Sequence, residues 1–188
     1  MEKIILASGS PRRRQLLEWA EVPFDVMVSD ADESYPPHLS FEDTAMYIAK
    51  NKALAVQANV DKRMLVLAAD TIVVCDQQVI GKPTDRAHAI SILTQLSGNT
   101  HIVITGVVML KNTAEKSFAD TTTVIFHELS PEQIEFYVDK YKPYDKAGAY
   151  AIQEWIGVVG IKAVQGDFYN VMGLPVSRVV QELRALAG

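Results

Sequence analysis

Only a narrow set of folds suits the segment Ile4-Ile5-Leu6-Ala7-Ser8-Gly9-Ser10-Pro11-Arg12-Arg13-Arg14-Gln15-Leu16-Leu17, near the start of the 188-residue chain. It reads as an apolar strand, a loop of small residues, and a helix whose first turn carries Arg12, Arg13 and Arg14. Ser10 fits the N-cap, and Pro11 fits the first helical position, where a missing N–H costs nothing. Small loop residues let backbone N–H groups approach a ligand, and a helix N-terminus favours an anion. Arginines in a first turn oppose the helix dipole. Positive charge kept where it works against the helix points to a bound polyanion, with phosphate the natural candidate. A solvated basic turn is the plain alternative, since the segment is neither a P-loop nor a dinucleotide fingerprint.

The rest of the composition narrows the classes. The length suits one domain, residues 1–188, or two closely joined lobes with room for a sizeable core. A net charge of −5 argues against general nucleic-acid binding but permits a local basic pocket. The single cysteine, Cys75, excludes an internal disulfide and a cysteine-based zinc site. The chain moves straight into a strand without a signal-peptide pattern, and no apolar run approaches the roughly 20 residues that span a bilayer. A cytoplasmic protein with no membrane partner is the expectation.

Along the chain, Lys3 to Ala7 reads as a strand, Pro11 to Ala20 as a helix and Phe24 to Val28 as a second strand. An acidic loop, Ser29 to Ser34, follows. Ser40 with Asp43 resembles a capping box opening a helix to about Ala58. Its apolar face takes Ala45, Ile48, Ala49, Ala53 and Val56, and Lys52 falls on that face. Met64 to Cys75 reads as a strand that turns at residues 76–78 into Val79-Ile80. Thr84 is placed to cap a helix to about Leu96, closed by Gly98. Two strands, His101 to Leu110 and Thr121 to Phe126, precede a helix from Ser130-Pro131 to about Tyr141. Tyr150 to Ile152 and Gly157 to Val164 read as further strands. The stretch from Gly166 to Pro175 reads as a structural connection to a last helix near Pro175. Hairpins mixed with crossover helices imply an α/β fold with a mixed sheet.

Asp70 is the most informative acid. It interrupts an otherwise apolar strand, where a carboxylate must be paired, metal-bound or at a cleft wall. The hairpin places Lys82 near Asp70 and Thr71, either as a structural salt bridge or as a phosphate-binding cation beside a water-activating acid. Lys52 either snorkels from its apolar face or serves the same site. Glu33 and its neighbours are either a Mg²⁺ ligand set or an ordinary acidic loop. Gln153 can read the hydrogen-bonding edge of a base, or satisfy nearby backbone. The histidines His38, His88, His101 and His127 have no metal-like spacing and read mostly as surface or capping residues.

Together these residues resemble the Maf family of nucleoside triphosphate pyrophosphatases. The matching segments are Ser8-Gly9-Ser10-Pro11-Arg12-Arg13, Ala69-Asp70-Thr71-Ile72-Val73, Gly81-Lys82-Pro83 and Thr105-Gly106-Val107. Lys146-Ala147-Gly148-Ala149-Tyr150-Ala151-Ile152-Gln153 and the stretch from Gly166 to Pro175 complete the set, in family order. Ala151, where glycine is common, is a mild variation.

The resemblance implies an elongated mixed-sheet α/β fold, of the inosine-triphosphatase-like kind, with two lobes around a nucleotide cleft. It implies hydrolysis of a nucleoside triphosphate to monophosphate and pyrophosphate with Mg²⁺ or Mn²⁺. It casts Asp70 as the catalytic base, with Glu33 and Asp70 at the metal. Ser8, Arg12, Arg13, Lys52 and Lys82 would bind substrate, and Arg12, Thr71 and Gln153 would govern substrate choice. The set matches the subgroup acting on dTTP and UTP. A homodimer is compatible with the resemblance. The alternatives are a non-enzymatic nucleotide-binding regulator of cell division, or the same enzyme directed at modified pyrimidine triphosphates.

Overall fold

Strands and hairpins interleaved with helices give a mixed α/β structure, here a computed structural model that describes residues 2–28 and 30–187. The strands are β1 (Ile4–Leu6), β2 (Phe24–Val26), β3 (Val66–Cys75), β4 (Gln78–Ile80), β5 (Thr100–Lys111), β6 (Ala114–Phe126) and β7 (Ile161–Gln165). The helices are α1 (Pro11–Trp19), α2 (Phe41–Gln57), α3 (Arg86–Leu96), α4 (Pro131–Tyr141), α5 (Trp155–Gly160), α6 (Phe168–Met172) and α7 (Val176–Ala187). The strands form one sheet in the order β2-β1-β3-β5-β6-β7, with β4 paired to β3. β1 runs parallel to β2 and β3, while the β3–β4 and β6–β7 pairs are antiparallel, so the sheet is mixed as the sequence implies. No helix among the described residues is long and apolar enough to cross a membrane.

Two compact units divide the chain. The first comprises Met1–Thr71, Thr105–Asp120 and Gly173–Gly188, and the second Ile72–Ile104 and Thr121–Met172.

In the first unit, a core of Ile5, Ala7, Ala49, Ala53, Val56, Val66, Ala68, Val108 and Leu110 seats α2 on the sheet. Alanines at helical spacing on α2 permit a close approach, and Gly106 of β5 makes it closer. A Cβ on Gly106 would lie 2.3 Å from Ala45 C and Met46 N, so any other residue would lift the helix. Ser40 Oγ accepts the Asp43 N–H at 3.1 Å and fixes where α2 begins.

In the second unit, β3 turns into β4 through Asp76 and Gln77, both in the left-handed region at φ 50° and 60°. That pair is the signature of a tight two-residue hairpin turn. The register, Val73 with Ile80, is the one the sequence reading used to bring Lys82 towards Thr71, but the ladder ends at that pair, before Lys82. Strand pairing stops because Gly81, Lys82 and Pro83 leave the sheet, and proline has no N–H to continue it. α4 opens with the reciprocal Ser130–Gln133 capping box read from the sequence. α3, by contrast, is capped by Asp85 rather than Thr84, the Asp85 carboxylate accepting the His88 N–H at 2.8 Å.

Two further expectations need correction. Tyr150, Ala151 and Ile152 form no strand; they are a buried irregular segment after a 3-10 turn at Ala147–Ala149. Residues 157–160 belong to α5, and β7 starts only at Ile161. β-branched residues favour strands, but the helical turn is locked by the Gly157 N–H bonding to Glu154 O at 2.9 Å. A Cβ on Gly157 would fall 1.7 Å from Ile152 O, so this compact turn requires glycine.

Candidate active site

The loop after β1 and the first turn of α1 deliver Ser8, Arg12 and Arg13. Ser10 occupies the N-cap position and Pro11 the first turn, yet the Ser10 side chain makes no capping bond. Its N–H instead donates to Ser8 Oγ at 3.3 Å. No acidic residue lies in the first turn of α1. The positive end of the helix is therefore not compensated by its own side chains, which suits an anionic ligand. Gly9 could hold a Cβ at ordinary contact with Val28, so packing alone does not demand glycine there.

Arg13 is buried, and its guanidinium organises three separate segments. Nε donates to Gly173 O at 2.7 Å, Nη1 to Ser8 Oγ at 3.1 Å and Nη2 to Thr71 Oγ1 at 3.0 Å. Thr71 Oγ1 also lies 2.9 Å from Thr105 Oγ1. Burial pushes the Arg13 pKa down, and the Asp70 charge opposes that shift. Gly173, at φ 116°, holds a conformation that side-chain-bearing residues rarely adopt, which presents its carbonyl to Arg13. Arg12 is half-buried on the same turn, close enough for its charge to act on Arg13.

A second constellation in the same unit joins Glu33, Lys52 and Asp70. Lys52 Nζ lies 2.6 Å from Asp70 Oδ1 and 2.7 Å from Glu33 Oε1. The Asp70 and Lys52 side chains are only 14% and 16% exposed, so their charges are largely out of water, whereas Glu33 is 56% exposed. A carboxylate in mid-strand is tolerated because an ammonium from the apolar face of α2 meets it. Asp70 Oδ2 takes no hydrogen bond among the described residues and is open to a further proton or cation. Two carboxylates converging on one cation are the hard oxygen donors that Mg²⁺ or Mn²⁺ takes, with phosphate and water completing the shell. The residues fit such an ion, although no group of three or more metal-ligating side chains occurs among the described residues.

Lys82 and Gln153 lie in the second unit, and both are exposed. There the Gly148 N–H donates to Gly81 O at 3.2 Å, tying the segment before Lys82 to the turn that leads towards Gln153. Gly148 has φ 72°, and a Cβ on it would meet Val73 Cγ2 at 3.0 Å.

Sequence reasoning missed Thr105, the Gly173 carbonyl and the supports around Gln153. Thr105 lay inside a matched segment, and its neighbour Gly106 was the available signal. His101, read as a surface or capping residue, is instead buried, with Nε2 2.7 Å from the Tyr150 hydroxyl and Nδ1 unpartnered. Burial drives the His101 pKa down to about 4.

Residues 3–186 match the family described as Maf-like protein. The dTTP/UTP pyrophosphatase of Cytophaga hutchinsonii is 50% identical over 183 residues, 97% of this chain and 84% of that protein. That of Parabacteroides distasonis is 48% identical over 183 residues, covering 97% and 95%. The Bacillus cytotoxicus protein of the same name is 46% identical over 184 residues, covering 98% and 95%. Among solved structures, the Staphylococcus aureus Ham1 protein shares the fold, with TM-score 0.51 and 16% identity over 96% of this chain and 100% of that one. One family covers residues 3–186, a stretch that includes the ion-paired Asp70 and the buried Arg13, and relatives of 46–50% identity match nearly the whole chain: the chain belongs to the Maf family.

Proposed function

We propose that the protein hydrolyses dTTP and UTP to the nucleoside monophosphate and pyrophosphate, acting as one catalytic domain over residues 1–188. The observation that carries the mechanism is Asp70, clamped through Oδ1 by Lys52 while Oδ2 stays open. Water attacks the α-phosphorus, its proton passes to Asp70 Oδ2, and the bond from the α-phosphorus to the bridging oxygen breaks. The electron pair leaves with pyrophosphate. Glu33 and Asp70 offer oxygen donors to a magnesium or manganese ion, which supplies charge neutralisation to the phosphates when bound.

The remaining residues divide by what their side chains have left to give. Arg13 spends donors on three protein acceptors, so it sets the shape of the phosphate loop. Ser8 accepts from Arg13 and from the Ser10 N–H and retains its own hydroxyl proton for an anion. Arg12 supplies charge to the phosphates beside the α1 N-terminus, where anions are favoured. Lys52 holds the carboxylates and adds a cation. Lys82 for phosphate, and Gln153 and Thr71 for the base, rest on their match to the family pattern. An amide offers both donor and acceptor to the keto edge of thymine or uracil. The Thr71 hydroxyl already meets Arg13 and Thr105, so its influence on substrate choice is that of a support.

A panel of nucleoside triphosphates with Mg²⁺ or Mn²⁺ and product identification tests the reading. Pyrophosphate release fastest from dTTP and UTP is expected. Release of orthophosphate alone, or no turnover of any nucleotide, overturns it.

A further inference from the structure

Gln153 is an exposed side chain on a segment whose other residues are fixed. Tyr150, Ala151 and Ile152 are buried, yet they belong to no helix or strand, so no backbone ladder sets their conformation. One turn bond, from the Glu154 N–H to Ala151 O at 3.1 Å, closes the backbone around Gln153, and side chains fix the rest. The Tyr137 hydroxyl, on α4 and fully buried, accepts the Ala151 N–H at 3.2 Å and donates to Glu154 Oε2. One hydroxyl therefore grips the chain on both sides of Gln153. Lys146 Nζ approaches Glu154 Oε1 at 3.8 Å, and His101 meets the Tyr150 hydroxyl.

A phenylalanine would fill the same space as Tyr137. A hydroxyl in so dry a place is favourable only when both its proton and its lone pairs are used, and here they are. Those two bonds hold the residues on either side of Gln153, and so orient the turn that carries it. We propose that Tyr137 is a positioning residue for base selection. Through the Ala151 N–H and the Glu154 carboxylate it aims the Gln153 amide, and so sets how strongly a keto pyrimidine edge is preferred over an amino one. The proposal rests on the reading of Gln153 as the residue that meets the base. Small displacements of a recognition group cost far more than their size suggests, because the bond lost is replaced by unmatched polar atoms.

Competition between dTTP and dCTP tests this, since cytosine exchanges donor and acceptor at the edge an amide reads. With the full chain, Tyr137→Phe is expected to raise KM for dTTP about tenfold, with kcat within about twofold and kcat/KM for dCTP unchanged. Equal losses on both nucleotides, or an unchanged ratio, overturn the proposal. Glu154→Ala should lower the ratio similarly, whereas Glu154→Gln, whose amide oxygen still accepts from Tyr137, should restore it. This pair decides the question if Tyr137→Phe does not fold, and a Gln variant as poor as the Ala variant overturns the proposal. Gln153→Ala separates the two levels. If it keeps the dTTP preference, the base-reading role falls and the proposal with it. If it loses the preference while Tyr137→Phe keeps it, the proposal alone falls.

Discussion

The surroundings of Asp70 and the surroundings of Gln153 are built by opposite means. Around Asp70 the groups are charged, with one partly exposed ammonium shared by two carboxylates and one buried guanidinium spread over three acceptors. Around Gln153 the supports are two tyrosine hydroxyls and a buried imidazole, with the Glu154 carboxylate the one charged acceptor among them. The first suits a partner that brings negative charge, because fixed cations and open carboxylate oxygens act on charge as it develops. The second suits a choice between bases of similar size, where mismatched hydrogen bonds discriminate better than shape.

The largest break in that contrast should come from Asp70→Asn. Asparagine can still accept from Lys52, so the fold should persist, but the proton acceptor is gone. A fall in kcat of about 10²–10⁴-fold is expected from steady-state pyrophosphate release, with little change in Tm. A wild-type rate would place the base elsewhere. Next in size is His101, which is held neutral by burial, its pKa pushed down to about 4 from the ordinary 6.5 of an imidazole. The unfolded chain binds the proton more tightly, so stability is full above the unfolded value and is lost as pH falls from about 6.5 towards 4. The loss should approach about 3 kcal/mol across that window. Urea unfolding at several pH values should show the slope, and His101→Phe should flatten it. A slope unchanged in the variant would mean that the dry network does not depend on a neutral His101.

Local signals made much of the charged side legible. Asp70 interrupts an apolar strand, Lys52 shares the apolar face of α2, and the arginines crowd the start of α1. Each was conspicuous because it stood where its chemistry did not belong. Their pairings were less visible, because they are tertiary. Arg13 finds the Gly173 carbonyl 160 residues away, and nothing local to either residue announces it. The hydroxyl side was nearly silent. Tyr137 looks like any aromatic on an amphipathic helix, and Tyr150-Ala151-Ile152 looks like a strand because burial selects the same residues. What distinguishes that segment is a side-chain hydroxyl doing what a neighbouring strand would otherwise do.

Arg13→Lys sharpens the division between holding the protein and holding substrate. Lysine keeps the charge but cannot reach three acceptors with one planar fork. If Arg13 chiefly shapes the loop, stability should fall by about 1–3 kcal/mol as Ser8, Thr71 and the Gly173 carbonyl lose a partner. Chemical denaturation of the apo protein measures this without substrate. A protein as stable as wild type but with a raised KM would make Arg13 a phosphate ligand first.

The smallest effect is expected at Thr105, where Val is nearly isosteric and removes only the hydroxyl that meets Thr71 at 2.9 Å. Thr105 is fully buried, so the substitution should cost about 0.5–1.5 kcal/mol, measurable as a shift in the denaturation midpoint. Its value lies in what else moves. Thr71 Oγ1 would keep its bond from Arg13 and its long contact of 3.4 Å to Gly173 O, so its position should hardly change. The dTTP to dCTP preference should then stay within about twofold of wild type, because the base contact itself is untouched. A marked change in that preference would mean that Thr71 meets the base through a hydroxyl oriented by Thr105. Base choice would then depend on Thr71 and its hydroxyl partner as well as on the hydroxyl network around Gln153, rather than on the latter alone.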